Sequence, residues 1–280
     1  MNLKLLTGGW SLFLLIGSLT AVGQVDTSVT GIDRARFQAD SALIRRLADT
    51  ILTDGRTYEN LRTLTKKVGP RLSGSPGYYK AERWGWQALE EAEADRVSMQ
   101  ECMVPHWIRG GKDVAVMEMP DPAPGRKKMR VDSLDVIALG NSVGTGPGGV
   151  TAPVVLVHNF EELERKKDSV KGDIVFYNYK FNPLFVETFQ AYGDAVRYRG
   201  AGASRAAKYG AVAVIVRSMS ESVDNVPHTG SLNYADSLPR IPAVAVGLRD
   251  ADRLAGLLQG GANIQVSMTT HGQMLPDTLA

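Results

Sequence analysis

The chain has 280 residues, of which 44% are hydrophobic and 22% charged. This is ordinary globular composition, enough for one large domain or two modest ones. Acids and bases are mixed along the chain and leave a net charge of +2, so nothing points to the basic stripe of a nucleic-acid binder.

At the N-terminus, Lys4 precedes an apolar stretch from Trp10 to Val22. That stretch is too short for a spanning helix, which needs about 20 residues. Ala21-Val22-Gly23 puts small residues at a cleavage position. Residues 1–23 therefore read as a signal peptide, with a mature start at Gln24 and an exported protein, periplasmic or secreted; an uncleaved anchor is the alternative. Cys102 is the single cysteine, so no intramolecular disulfide can form. It is expected as a small buried hydrophobe on a strand.

Phe37, Ile44, Leu47 and Ile51 recur at helical spacing and predict a helix over 33–53. A second helix is expected over 58–68, capped by Thr57, with Leu61, Leu64 and Val68 on one face. Gly69-Pro70 stops it. Arg71 is expected to tie down the loop that follows. Ser75 can cap a third helix, with Pro76 in its first turn. There Ala81, Trp84, Ala88, Leu89 and Ala92 share one face, and Glu90, Glu91 and Glu93 turn toward water.

The pattern then changes to strands, expected at 97–104, 114–118 and 131–139 and separated by 110–113 and 120–125. Beyond residue 150, strands at 153–157, 173–177, 211–217, 241–246 and 263–268 alternate with helices at 160–166, 195–209 and 249–258. Such alternation describes a compact α/β unit.

Between these halves lies Gly140-Asn141-Ser142-Val143-Gly144-Thr145-Gly146-Pro147-Gly148-Gly149. It matches G-x-S-x-G, the nucleophile elbow of serine hydrolases, and G-x-G-x-x-G, a dinucleotide-binding loop. Both need a helix to start at once after the motif. Here glycines and two prolines oppose a helix, and Pro153-Val154-Val155-Leu156-Val157 reads as a strand. The segment reads as a flexible junction between two packed units.

The four histidines form no H-E-x-x-H, H-x-D or comparable zinc motif. His106 reads as half-buried packing and His271 as exposed tail. His158 reads as structural, before a helix capped by Asn159. His228 lies in a polar loop, Pro227-His228-Thr229-Gly230-Ser231-Leu232-Asn233-Tyr234, of the kind that often lines sites.

Several segments, in order, resemble the carboxypeptidase Q family of exported co-catalytic zinc exopeptidases. They include Val68 to Ser75, Pro105 to Gly111, Leu139 to Thr145 and Lys171 to Val175. Gly210 to Ala213, Pro227 to Gly230, Ile241 to Ala243 and Pro276 to Thr278 continue the series. The resemblance implies an α/β zinc-peptidase domain that begins at residues 24–140. It implies an inserted protease-associated α/β domain at 141–270 and a return toward the catalytic domain at 271–280. It also implies two zinc ions in the whole enzyme, sharing a water, with peptides or dipeptides as substrates. The family's zinc ligands and general base follow the inserted domain. No catalytic or metal-binding residue is therefore assigned here, and the chain as given is expected to bind no zinc and hydrolyse nothing. His228, Thr229 and Tyr234 are expected near the substrate end of the cleft. No nucleic-acid partner and no membrane span are expected. A stand-alone protease-associated binding module without catalysis is the alternative.

Overall fold

The computed structural model describes residues 34–120 and 129–280. The signal peptide read at 1–23 and most of the turn read at 120–125 lie outside the described residues. The chain divides into two units, Met1–Leu61 and Arg62–Ala280. The first carries α1 (Arg34–Asp54). This helix forms where expected, yet Phe37, Ile44, Leu47 and Ile51 are all exposed and no residue of α1 is buried. Helix α2 (Thr57–Arg62) spans the division and leads into the second unit.

The helix expected to continue to residue 68 widens into a π-helical stretch, Thr63–Val68. Gly69 ends it at φ +84°, a left-handed conformation that favours glycine. The Arg71 guanidinium donates to the carbonyls of Leu64 and Gly69, at 3.0 and 2.7 Å. Arg71 thus ties down this loop, as its position suggested. Helix α3 (Pro76–Glu91) follows, and its Ser75 cap accepts a hydrogen bond from the Tyr78 N–H. Trp84 and Ala88 are half-buried, Leu89 is exposed, and no residue of α3 is buried.

Ten strands are described. Strand β1 (Met103–Ile108) pairs antiparallel with β10 (Gln273–Leu279) in a two-stranded ribbon. The remaining eight form one mixed sheet in the order β3-β2-β9-β5-β6-β7-β8-β4. They are β2 (Val114–Pro120), β3 (Met129–Leu134), β4 (Val136–Ala138), β5 (Val150–Val157), β6 (Ile174–Tyr177), β7 (Ala213–Arg217), β8 (Ala243–Val246) and β9 (Gln265–Thr269). Strands β5 to β8 run parallel and the others join antiparallel.

Helices cover both faces of the parallel centre, so its strands are apolar throughout rather than alternating. Every residue of β6, β7 and β8 is buried. Val175, Tyr177, Val214 and Val216 face α4 (Phe160–Arg165) and α5 (Thr188–Ala207). Ile174, Phe176, Ala213 and Ile215 face α6 (Leu248–Gln259). Successive side chains point to opposite faces of a strand, which produces this split. Helix α5 approaches closely because its inner face is small. A Cβ at Gly202 would lie 2.9 Å from the Tyr177 ring, and the Tyr177 hydroxyl donates to the Gly202 carbonyl at 3.0 Å.

One expectation is overturned. Cys102 is exposed, not buried, and it precedes β1 instead of lying inside a strand. The expected strand at 97–104 starts at residue 103. Cys102 exchanges both backbone hydrogen bonds with Ala280, each 2.8 Å, and so is held at the frayed end of the ribbon.

Candidate functional site

The stretch that mimics two catalytic motifs has neither context. No helix follows it, because β5 begins at Val150. Asn141 adopts φ +68°, and its side-chain amide donates to the Leu232 carbonyl. Ser142 is fully buried. Its hydroxyl accepts from the Ala243 N–H and donates to the Val143 carbonyl. With both roles occupied and no base against it, it cannot act as a nucleophile. Its carbonyl accepts from Trp107 Nε1 at 2.9 Å. The stretch is therefore pinned on two sides, to β8 and to the ribbon.

The ribbon is anchored to the sheet by a second contact. Arg109 donates to the Ala138 carbonyl at 2.9 Å and pairs with Asp113 at 3.0 Å. Asp113 also accepts from the Ala138 N–H. Trp107, Arg109 and Ser73 on one side, with Asn141, Thr229 and Gly230 on the other, enclose a cavity of about 200 Å³.

A larger cleft of about 820 Å³ opens at the carboxyl ends of β6 and β7. This is the end of an open α/β sheet where ligands gather. Its walls are largely apolar, with Phe181, Phe185, Tyr192 and Met219. Arg217, nearly buried at the end of β7, donates to Asn178 and forks onto both Asp252 oxygens at 2.8 and 3.3 Å. Lys180 joins Asp252 at 2.9 Å. Hydrogen bonds from Arg217, then from Lys180, hold the Asp252 carboxyl below its ordinary range against the opposing cost of burial. This network fixes the first residues of the loop that walls the cleft.

The polar loop singled out in the sequence runs between the cleft and the smaller cavity. His228 is exposed; its Nδ1 lies 2.8 Å from the Met219 carbonyl, and its ring is 6.1 Å from the Tyr192 ring at the cleft wall. Thr229 lines the small cavity and donates to the Ala138 carbonyl at 3.0 Å. Tyr234 donates to the Ile241 carbonyl at 2.6 Å and accepts from the Val143 N–H. Burial pushes its phenol upward. So His228 and Thr229 reach the two openings, while Tyr234 is a strut behind them. The other histidines stay apart. His158 contacts Glu162 at 2.8 Å, His106 is half-buried against the Gly74 turn, and His271 is exposed beside Gly110 and Gly111.

Tyr192 and Arg199 on α5 carry no sequence signal of a site. They emerge because α5 packs beneath the 228–233 loop.

No protein-family model matches the chain. Carboxypeptidase Q from Mus musculus is 35% identical over 223 residues, 80% of this chain and 44% of that protein. The Homo sapiens protein of the same name is also 35% identical, over 80% of this chain and 43% of its own length. The chain thus spans less than half of the curated relatives it matches. A crystal structure of a peptidase M28 precursor from Shewanella amazonensis superposes with a TM-score of 0.77 at 28% identity. It covers 87% of this chain and 52% of the precursor, so the mixed α/β fold seen here is shared with an M28 peptidase.

Proposed function

From its homology to carboxypeptidase Q over 80% of its length, we propose that this chain is the N-terminal part of an exported zinc-dependent exopeptidase acting on short peptides. The single observation that carries this is the match of 223 residues to less than half of the relatives' length. The shared fold with an M28 peptidase precursor supports it.

The division of labour follows from the ribbon. Strands β1 and β10 lie side by side, so the chain leaves and re-enters one place around residues 110 and 272. In this reading the sheet between those points is the inserted protease-associated domain, extended from the expected 141–270 back to β2, β3 and β4 because these pair into the same sheet. The α3–ribbon region belongs to the peptidase domain. Among the described residues no three His, Cys, Asp or Glu side chains come together as a metal site. No step of hydrolysis is assigned to a metal here. The part of the reaction this chain supplies is a cleft for substrate. His228 stands beside Tyr192 at its wall, Thr229 lines the neighbouring small cavity, and Tyr234 braces the loop that carries both.

Export is part of the same reading, from the signal-peptide pattern at 1–23. Among the described residues no helix is long and apolar enough to cross a membrane. The test is zinc content per mole together with hydrolysis of dipeptides and amino-acid anilides by the purified chain. Neither stoichiometric zinc nor turnover is expected. Turnover by these 280 residues would overturn the proposed division.

A further inference from the structure

Arg199 is the least explained residue of the sheet domain. It is 9% exposed, and its Nε and Nη1 have no hydrogen-bond partner among the described residues. No acidic side chain pairs with it there. A buried guanidinium without acceptors is costly, because its desolvation is not offset. Arginine cannot lose its charge to escape that cost.

Its position points to an occupant. Long helical side chains lean toward the helix N-terminus. Arg199 accordingly leans back along α5, and its Cζ lies 5.4 Å from the Tyr192 ring centroid. Tyr192 walls the 820 Å³ cleft. On its other side the guanidinium lies against Gly230. A Cβ at that position would come within 2.5 Å of Arg199 Cζ, so a larger residue there would push the guanidinium aside. His228 and Thr229 hold the cover through bonds to Ser218, Met219 and Ala138, and the Gly230 carbonyl accepts from the Gly140 N–H at 2.9 Å, so lifting it breaks these bonds.

A planar fork with free N–H groups, one ring away from an apolar cleft, matches a carboxylate attached to an apolar side chain. We propose that Arg199 receives the C-terminal carboxylate of a short peptide whose last side chain fills the cleft between Phe181, Phe185, Tyr192 and Met219. The choice of a peptide rests on the exopeptidase reading; the carboxylate rests on Arg199. Entry requires the His228–Gly230 cover to lift, so ligand binding should also alter the His228 environment.

The experiment titrates the 280-residue chain with glycyl-phenylalanine and, separately, with glycyl-phenylalanine amide, following binding by NMR. The free acid is expected to bind at least tenfold more tightly than the amide. Arg199→Met should abolish that preference, and Arg199→Lys should retain part of it. Equal binding of acid and amide, no binding of either, or an acid preference that survives Arg199→Met would overturn the proposal. If Arg199→Met does not fold, the Arg199 Nε–H resonance of the wild-type chain decides. It should shift with the acid and not with the amide; no shift overturns the proposal. These outcomes read binding alone, so the exopeptidase reading stands or falls separately on turnover and zinc.

Discussion

Two regions of the second unit use their apolar residues differently. In the eight-stranded sheet, β6, β7 and β8 are wholly buried between α5 and α6. In the α3–ribbon region, α3 has no buried residue, and Trp107 is the one buried member of β1. Leu89, Met99 and Met103 are exposed. The sheet holds itself together by packing on both faces. The ribbon and α3 are held instead by specific hydrogen bonds, such as Ser73 to the Pro105 carbonyl and Tyr79 to the Leu279 carbonyl. A net hydrogen bond contributes only about 1 kcal/mol, whereas truncating a fully buried leucine to alanine costs roughly 2–5. Packing on both faces closes the sheet, whereas hydrogen bonds hold the ribbon and α3.

Mutations can break or sharpen this contrast. Leu254→Ala, on the buried face of α6, is expected to cost about 2–5 kcal/mol in denaturant unfolding. Leu89→Ala on exposed α3 should stay within about 0.5 kcal/mol. Equal losses would erase the distinction. Ser142→Ala strands the Ala243 N–H in the core, so a loss of about 1–3 kcal/mol is expected by the same measurement. Trp107→Phe removes the donor to the Ser142 carbonyl and should cost about 1 kcal/mol. Its mark should be faster proteolysis of the ribbon with the sheet core left intact.

The smallest effect is pH-dependent. Glu162 loses something to burial, but hydrogen bonds from Lys166 and His158 hold its carboxyl down at about 2. A depressed carboxylate stabilises the fold above its unfolded value near 4.5 and loses that contribution as pH falls toward 2. Thermal melts should therefore show the wild type more stable than Glu162→Gln at pH 6. The gap should close between pH 4.5 and 2. A gap independent of pH would contradict this.

The same contrast explains what was legible in the sequence. Strands β5 to β9 fall close to their expected places because Ile174 to Tyr177 and Ala213 to Val216 are unbroken apolar runs beside glycines. Ser75-Pro76 marked the start of α3 for an equally local reason. The ribbon was less readable. Met103 pairs with Leu279, and no local pattern announces a partner so distant in sequence. Helix α5 starts at Thr188, earlier than the expected 195, because Gly193 and polar neighbours mask its first turns. For the candidate site, the loop at 227–234 was visible through its composition, and its side-chain directions were not. The burial of Arg199 depends on Gly230 being laid over it, which periodicity along α5 cannot reveal.

Amide hydrogen exchange on the purified 280-residue chain tests the two-region account most directly. Amides of β6, β7 and β8 should exchange only through global unfolding, while those of α3, β1 and β10 exchange through cheaper local openings. Uniform protection across both regions would contradict the account.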